Sequence, residues 1–317
     1  MYIINSGGWY VGNSAIIDWL SKIDGIGYIH GDLNVFRLED GIMDMLSEKD
    51  LLKKRIMIRK NKKACFKGNA FALKSVFKKL LGGSLESLNN LEYYYRAKYY
   101  YFYYVALSNY EKKLGIDTFN EKQYWVAWLH ELSFLFSTNF ENSRKYTVLQ
   151  NPFFYDETYD GHKNVWPELF KPYKLIFVHR DPLDQLSDIV ETGALFDSSW
   201  ARFHGDTSSL EPFDRFFEIS KKLYNGRLRL LETHNRKNSL VLAFEDFILN
   251  HEVTASNLFE FLGLPSQTVC WDPAPSKKNI GKGKEDSKVQ QLISGKEHMI
   301  DELMVLRDKL IKISLKS

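Results

Sequence analysis

Residues 6–14 read Ser-Gly-Gly-Trp-Tyr-Val-Gly-Asn-Ser, a run of small and polar residues dense in groups that hold anions. Counted from Gly7 the spacing is G-x-x-x-x-G-N-S, a phosphate-loop pattern with Asn13 where an ATP-binding loop carries lysine. Glycines let a backbone approach an anion closely, and the N–H groups that open a helix point at it. The stretch Gly8, Trp9, Tyr10, Val11, Gly12, Asn13, Ser14 can therefore hold a phosphate. It is poorly equipped for ATP chemistry, where the lysine serves the β- and γ-phosphates. A tight strand-to-helix turn without a ligand is the plain alternative. A second chemical position is Arg180, in His179-Arg180-Asp181-Pro182, with Ser187 and Asp188 two turns further on and facing the same edge. Its guanidinium is a good paired donor to phosphate, and its plain alternative is an ion pair with Asp184. A third is Ser276–Asp286, SKKNIGKGKED, a Gly- and Lys-rich loop with several phosphate donors, or simply a solvated loop.

These positions need elements that bring them together. Short apolar or β-branched runs at 1–5, 27–30, 146–149, 173–178 and 239–243 read as strands, each separated from the next by helical sequence. That alternation predicts an α/β fold, a parallel sheet of about five strands flanked by helices. The glycine loop follows the first strand and opens a helix at Ala15. Arg180 follows the fourth strand at its C-terminal end, the edge where open α/β sheets bind ligands, and Pro182 suits the first position of the next helix. Gly263 and Pro265 stop the helix that follows the fifth strand. Residues 41–140 form a large helical insertion in one domain spanning 1–317. Within it Tyr93–Tyr104 is nearly all aromatic and predicts a helix over about 87–113 that buries aromatics on most faces. An aromatic platform for a sugar or a membrane interface is the functional alternative. Lysines and arginines from Lys53 to Lys63 read as a solvated face, or as a surface for an acidic acceptor. A long amphipathic helix is expected over 286–315.

Composition narrows the classes. The 317 residues are 44% hydrophobic and 26% charged, with a net charge of +3, too small to argue by itself for nucleic acid or a membrane surface. Two cysteines, Cys65 and Cys270, suffice for neither a disulfide framework nor a metal cluster and fit a reducing compartment. No apolar run approaches the length of a bilayer span or a secretion signal, so the expected location is the cytoplasm.

Taken together and in order, four segments resemble the PAPS-dependent sulfotransferases, P-loop-like enzymes of the bacterial carbohydrate type that use 3′-phosphoadenosine 5′-phosphosulfate. SGGWYVGNSAI resembles their 5′-phosphosulfate loop and LIFVHRDPLDQLSD their 3′-phosphate motif. LVLAFEDFILN with LFEFLGLP is similar to their third characteristic strand and helix, and SKKNIGKGKED to their C-terminal nucleotide loop. The resemblance implies that Gly8–Ser14 hold the 5′-phosphosulfate, Arg180 the 3′-phosphate, and that Lys277, Lys278, Asn279, Gly281 and Lys282 close over the nucleotide. It also implies PAPS as donor, 3′,5′-adenosine bisphosphate (PAP) as product, and no metal. Three departures stand out. Tyr10 occupies the loop's usual cationic position, Asp188 stands where a serine is expected with Ser187 one place early, and Gly283 replaces a tryptophan.

The catalytic base of such enzymes lies at the mouth of the second or third strand. Asp32 stands four residues before Phe36, much as the base does in heparan-type members, and is the first candidate. His30 is the next, followed by Asn151 and Asp156. The reading is sulfuryl transfer to a hydroxyl, with a carbohydrate of a surface glycan or glycolipid as acceptor and peripheral membrane contact open. The alternatives are a PAP- or PAPS-binding protein without strong turnover and, third, a P-loop kinase, which the absent lysine argues against.

Overall fold

Tyr2 to Gly7 are buried at every position, as are Leu175 to His179, so these strands hide both faces. Strands apolar on both faces belong to a parallel sheet between two layers. The computed structural model describes residues 1–7, 10–32, 34–37, 40–81, 91–136, 145–152, 165–196, 209–233 and 236–314. Within these, the side chains of 30–32, 34, 37, 68–81, 91–97, 136, 196, 233, 236 and 314 are outside the description.

The chain begins with β1 (Tyr2–Gly7), α1 (Asn13–Leu20) and β2 (Ile26–Asp32). Then come α2 (Asn34–Arg37), α3 (Ile42–Ser47), α4 (Leu51–Leu81), α5 (Leu91–Lys113) and α6 (Glu121–Phe136). β3 (Tyr146–Gln150), α7 (Trp166–Phe170), β4 (Tyr173–His179), α8 (Pro182–Glu191) and α9 (Pro212–Thr233) follow. β5 (Ser239–Ala243) leads into α10 (Phe244–Leu249) and α11 (His251–Leu262). The last segment holds α12 (Ala274–Lys277), α13 (Lys282–Glu285), α14 (Ser287–Ile293) and α15 (Glu297–Ser314).

The five strands pair in the order β2-β3-β1-β4-β5, and every pair is parallel. Alternate residues feed two cores. Ile3, Ile176 and Val178 face α1, α10 and α11, with Trp19 fully buried there. Ile4, Leu175 and Phe177 face the other layer, which gathers α5, α6, α8, α9, α14 and α15 around Trp125 and Trp166. The connection from β1 leaves toward β2, whereas the connection from β4 leaves toward β5. Chain departing in opposite directions from two adjacent strands opens a crevice at their C-terminal ends, and β1 and β4 are those strands.

The aromatic helix runs 91–113, and residues 87–90 of its expected range lie outside the description. Tyr103 and Tyr110 are buried against Trp125. Tyr101, by contrast, is exposed. The expected single helix over 286–315 is two helices. Gly295 takes φ 75° between α14 and α15, a left-handed turn that ends the first, and its N–H bonds the Glu297 carboxylate at 3.1 Å.

Candidate functional site

The β1–α1 loop is built by close approach. Gly12 caps α1 at φ 91°, and a Cβ there would lie 2.1 Å from the Phe244 ring. A Cβ on Gly7 would meet Val11 at 2.3 Å and the Asn13 amide at 2.4 Å. Tyr10 also has positive φ, 54°, and is exposed. Asn13 is 7% exposed, its Nδ2 donates to Asn151 Oδ1 at 3.3 Å, and the same oxygen accepts the Gly7 N–H at 3.0 Å. Among the described residues Asn13 Oδ1, Asn5 Oδ1 and Ser6 Oγ are buried with no hydrogen-bond partner. Such a group is costly unless something satisfies it. Gly8 and Trp9 lie outside the described residues.

Arg180 is 2% exposed at the end of β4. Its Nη1 donates to the Tyr10 carbonyl at 3.1 Å and to the Asp188 carboxylate, and its Nη2 donates to the Asn279 carbonyl. The Phe244 ring stacks beneath it at 5.1 Å. Its Nε is buried without a hydrogen-bond partner among the described residues. One side chain thus joins the glycine loop, α8 and the C-terminal segment. The turn behind it is locked from below. Asp181 caps α8, accepting from Leu183 N at 2.8 Å, and its own N–H donates to Glu245 at 2.6 Å. Glu245 also accepts from Arg307 at 2.7 Å, and Arg307 Nε donates to His179 Nδ1 at 3.2 Å. Burial first, and then the nearby charges of Arg307 and Arg227, hold His179 far below its ordinary pKa, so it is neutral.

The plain alternative of an Arg180–Asp184 pair is not what forms. Asp184 is 2% exposed and accepts the backbone N–H groups of Gly281 at 2.7 Å and Gly283 at 2.9 Å. Gly283 sits so close to α8 that a Cβ would be 2.2 Å from the Leu183 carbonyl carbon, which accounts for glycine where tryptophan was expected. Ser187 turns away from the loop and donates to Asp286 at 2.7 Å. Asp286 caps α14, and the Ser187 bond first, with two backbone bonds, holds its carboxyl below the usual range. Asp188 is shared: Oδ2 takes Arg180 and Oδ1 takes Lys282, which also reaches Glu191 at 3.0 Å. Burial lowers the Lys282 pKa, but these two carboxylates outweigh it and raise the value.

A cavity of about 390 Å³ opens between these parts. Tyr10 to Ala15 line it on one side, Gln150 and Asn151 on another, and Arg180, Asp188, Phe244, Ser276 and Asn279 close it. Of the expected nucleotide residues, the structure therefore gathers Tyr10, Val11, Gly12, Asn13, Ser14, Arg180, Asp188 and Asn279. Lys277 and Lys278 are exposed and outside the lining, and Gly281 and Lys282 are engaged with α8. Among the described lining residues Arg180 is the sole cation, and Asp188 offsets its charge. His30 and Asp32 lie at the C-terminal end of β2, where Asp32 pairs with Gln150 of the lining. Their side chains, and Asp156, lie outside the description. Asn151, a candidate base, instead anchors the glycine loop at φ 43°. Phe244 and Gln150 were missed. Each stands within one residue of a strand's C-terminal end, a positional signal that was available.

The molecule is thus an α/β protein with a glycine-loop cradle and an arginine clamp meeting at the sheet's switch point. No family model and no curated protein matches the chain. Among solved structures it is similar to the sulfotransferase domain from the Synechococcus PCC 7002 olefin synthase, at 13% identity and a TM-score of 0.46, over 100% of this chain and 93% of that one. It is similar to the sulfotransferase domain from the curacin biosynthetic pathway at the same identity and TM-score, over 93% of this chain and 96% of that one.

Proposed function

We propose that this chain is a cytoplasmic sulfotransferase of a single domain, moving a sulfuryl group from PAPS to a hydroxyl of a surface glycan or glycolipid. The observation that carries the reading is the meeting of Arg180 with the Gly12–Ser14 cradle in one nucleotide-sized cavity. The residues present fit a phosphorylated nucleotide on their own chemistry. Arg180 Nε is buried without a hydrogen-bond partner among the described residues, and Gly12 leaves no room for a side chain that would fill the cradle.

Bound there, PAPS would supply an activated sulfuryl group whose leaving oxygen belongs to a phosphate. The N–H groups of the Gly8–Ser14 loop and the start of α1 bind and orient the 5′ end. Arg180 binds the 3′-phosphate, with Asn279 beside it and Lys277, Lys278, Gly281 and Lys282 in the segment that shuts the cavity. Asp32, or else His30, takes the acceptor's proton as the new O–S bond forms. Catalysis of this kind is positioning and charge stabilisation rather than covalent chemistry by the protein. With Tyr10 at the cationic position, the leaving charge falls to backbone N–H groups and to Lys278 or Lys282.

A second reading has an observation of its own. Asp188 on Arg180, and the absence of a lining lysine among the described residues, favour a protein that binds PAP or PAPS with little turnover. Thermal melting separates the readings in two stages. Adenosine 3′,5′-bisphosphate should raise the melting point selectively over AMP and over ATP with Mg²⁺. At 100 times its Kd, a ligand adds about 2.7 kcal/mol. Stabilisation by ATP with Mg²⁺ alone would overturn both in favour of a kinase. Asp32→Asn should then abolish sulfuryl transfer while sparing the nucleotide shift. A wild type that binds the bisphosphate but transfers nothing selects the second reading.

A further inference from the structure

Helix α4 is unlike the rest of the molecule. Its 31 residues contain eleven lysines and arginines and no aspartate or glutamate. The whole chain has a net charge of only +3, so the remainder is acidic and the positive charge is concentrated on this element. The described part of the helix buries one stripe, Lys54, Ile58, Asn61 and Cys65, at helical spacing. Cys65 is buried deeply enough that its thiol is pushed up to about 12. Lys54 is neutralised there by Glu121, and Lys60 and Lys62 on the flanks pair with Asp40 and Glu111.

The opposite stripe has another character. Leu52 is 68% exposed, Ile56 47% and Phe66 74%. Beside them on the same face stand Arg55, Arg59, Lys63 and Lys67, all exposed, none with a carboxylate partner among the described residues. The three apolar side chains span 14 positions, about 21 Å along the helix axis. Exposed apolar side chains of this size, interleaved along one helix face with cations that have no carboxylate partner among the described residues, are not what a solvated face needs.

We propose that this face of α4 docks the protein on an anionic lipid bilayer. Leu52, Ile56 and Phe66 enter the headgroup–acyl boundary, and the arginines and lysines spread their stems over it with their charges on lipid phosphate and carboxylate groups. Nucleic acid would satisfy the cations and leave the apolar ridge in water. A bilayer satisfies both, and its deformable surface receives a ridge as readily as a groove. The inference does not depend on the transferase reading.

The test uses the full chain and vesicles of phosphatidylcholine, alone or with about one third phosphatidylserine, in a flotation assay. Binding is expected to the mixed vesicles and not to phosphatidylcholine alone, and to weaken as salt rises. Arg59→Glu with Lys63→Glu should lower partitioning by about tenfold or more, given roughly fivefold per charge near the surface. Leu52→Ser with Phe66→Ser should lower it comparably at unchanged melting temperature, since both side chains are already exposed. Three outcomes overturn the proposal. One is no flotation of the wild type with mixed vesicles. Another is an apolar pair of substitutions without effect, which leaves plain electrostatic adsorption. The last is tighter binding to duplex DNA with the same pattern of sensitivity.

Discussion

On the nucleotide reading proposed above, Asp188 is the residue on which affinity would turn. One oxygen of its carboxylate occupies Arg180 and the other holds Lys282, so a 3′-phosphate bound at Arg180 would have to displace it toward Lys282. Asp188→Asn should therefore tighten adenosine 3′,5′-bisphosphate by about tenfold, a change of about 1.4 kcal/mol, and leave AMP nearly unaffected by calorimetry. Weaker binding would make Asp188 a support for Arg180 rather than its competitor. In the Asp188→Asn background, Lys282→Ala should have little further effect on that affinity if Lys282 acts only through Asp188. His179 gives a pH signature. Its folded pKa lies below the unfolded value of 6.5, so its contribution to stability is complete above about pH 6.5 and is lost as pH falls below it. The acid limb of urea unfolding should flatten in His179→Gln. Gly12→Ala has two faults at once, a side chain at φ 91° and a clash with Phe244. It should lose about 2–4 kcal/mol and its response to the bisphosphate together.

At the scale of elements, the decisive contact is between α8 and the segment from α12 to α14. Asp184 holds two backbone N–H groups of that segment, Ser187 holds Asp286, and Gly283 allows the approach. The segment brings the Asn279 carbonyl onto Arg180, so its seating and the clamp are one structure. Gly283→Ala should push it off α8 at about 1–3 kcal/mol and weaken bisphosphate binding more than it lowers the melting point. Equal retention of nucleotide affinity in that variant would show that the segment does not shape the cavity. The α-helical insertion is tied in differently. Trp125 of α6 packs with Tyr103 and Tyr110 of α5, and the cluster is continuous with Ile4 and Phe177 of the sheet.

Across the whole molecule that continuity predicts one melting event. Trp125→Ala should lower a single transition by about 3–5 kcal/mol rather than split it, because the insertion and the sheet share a core. A two-step melt would make the insertion an independent unit. No helix among the described residues is long and apolar enough to cross a membrane. The eleven positive residues of α4 are set against an acidic remainder of the chain.

Local pattern in the sequence determined the elements and the anion loop. Five apolar runs became five parallel strands, and Gly7, Gly12 and Pro182 announced their turns, because burial on both faces and allowed backbone angles are written residue by residue. The single helix expected over 286–315 overlooked the break at Gly295, although a glycine between two amphipathic runs is a stop signal. What the sequence could not decide was which charged group meets which. Asp184, Ser187 and Asp188 sit within five positions on one helix, and each bonds a different part of a segment about 100 residues away, at Gly281 and Gly283, Asp286 and Lys282 respectively. Spacing places side chains on a helix face, but the partner of a charge is set by the chain that packs there. Only the tertiary structure gave Arg180 to Asp188 and Asp184 to the amides of Gly281 and Gly283.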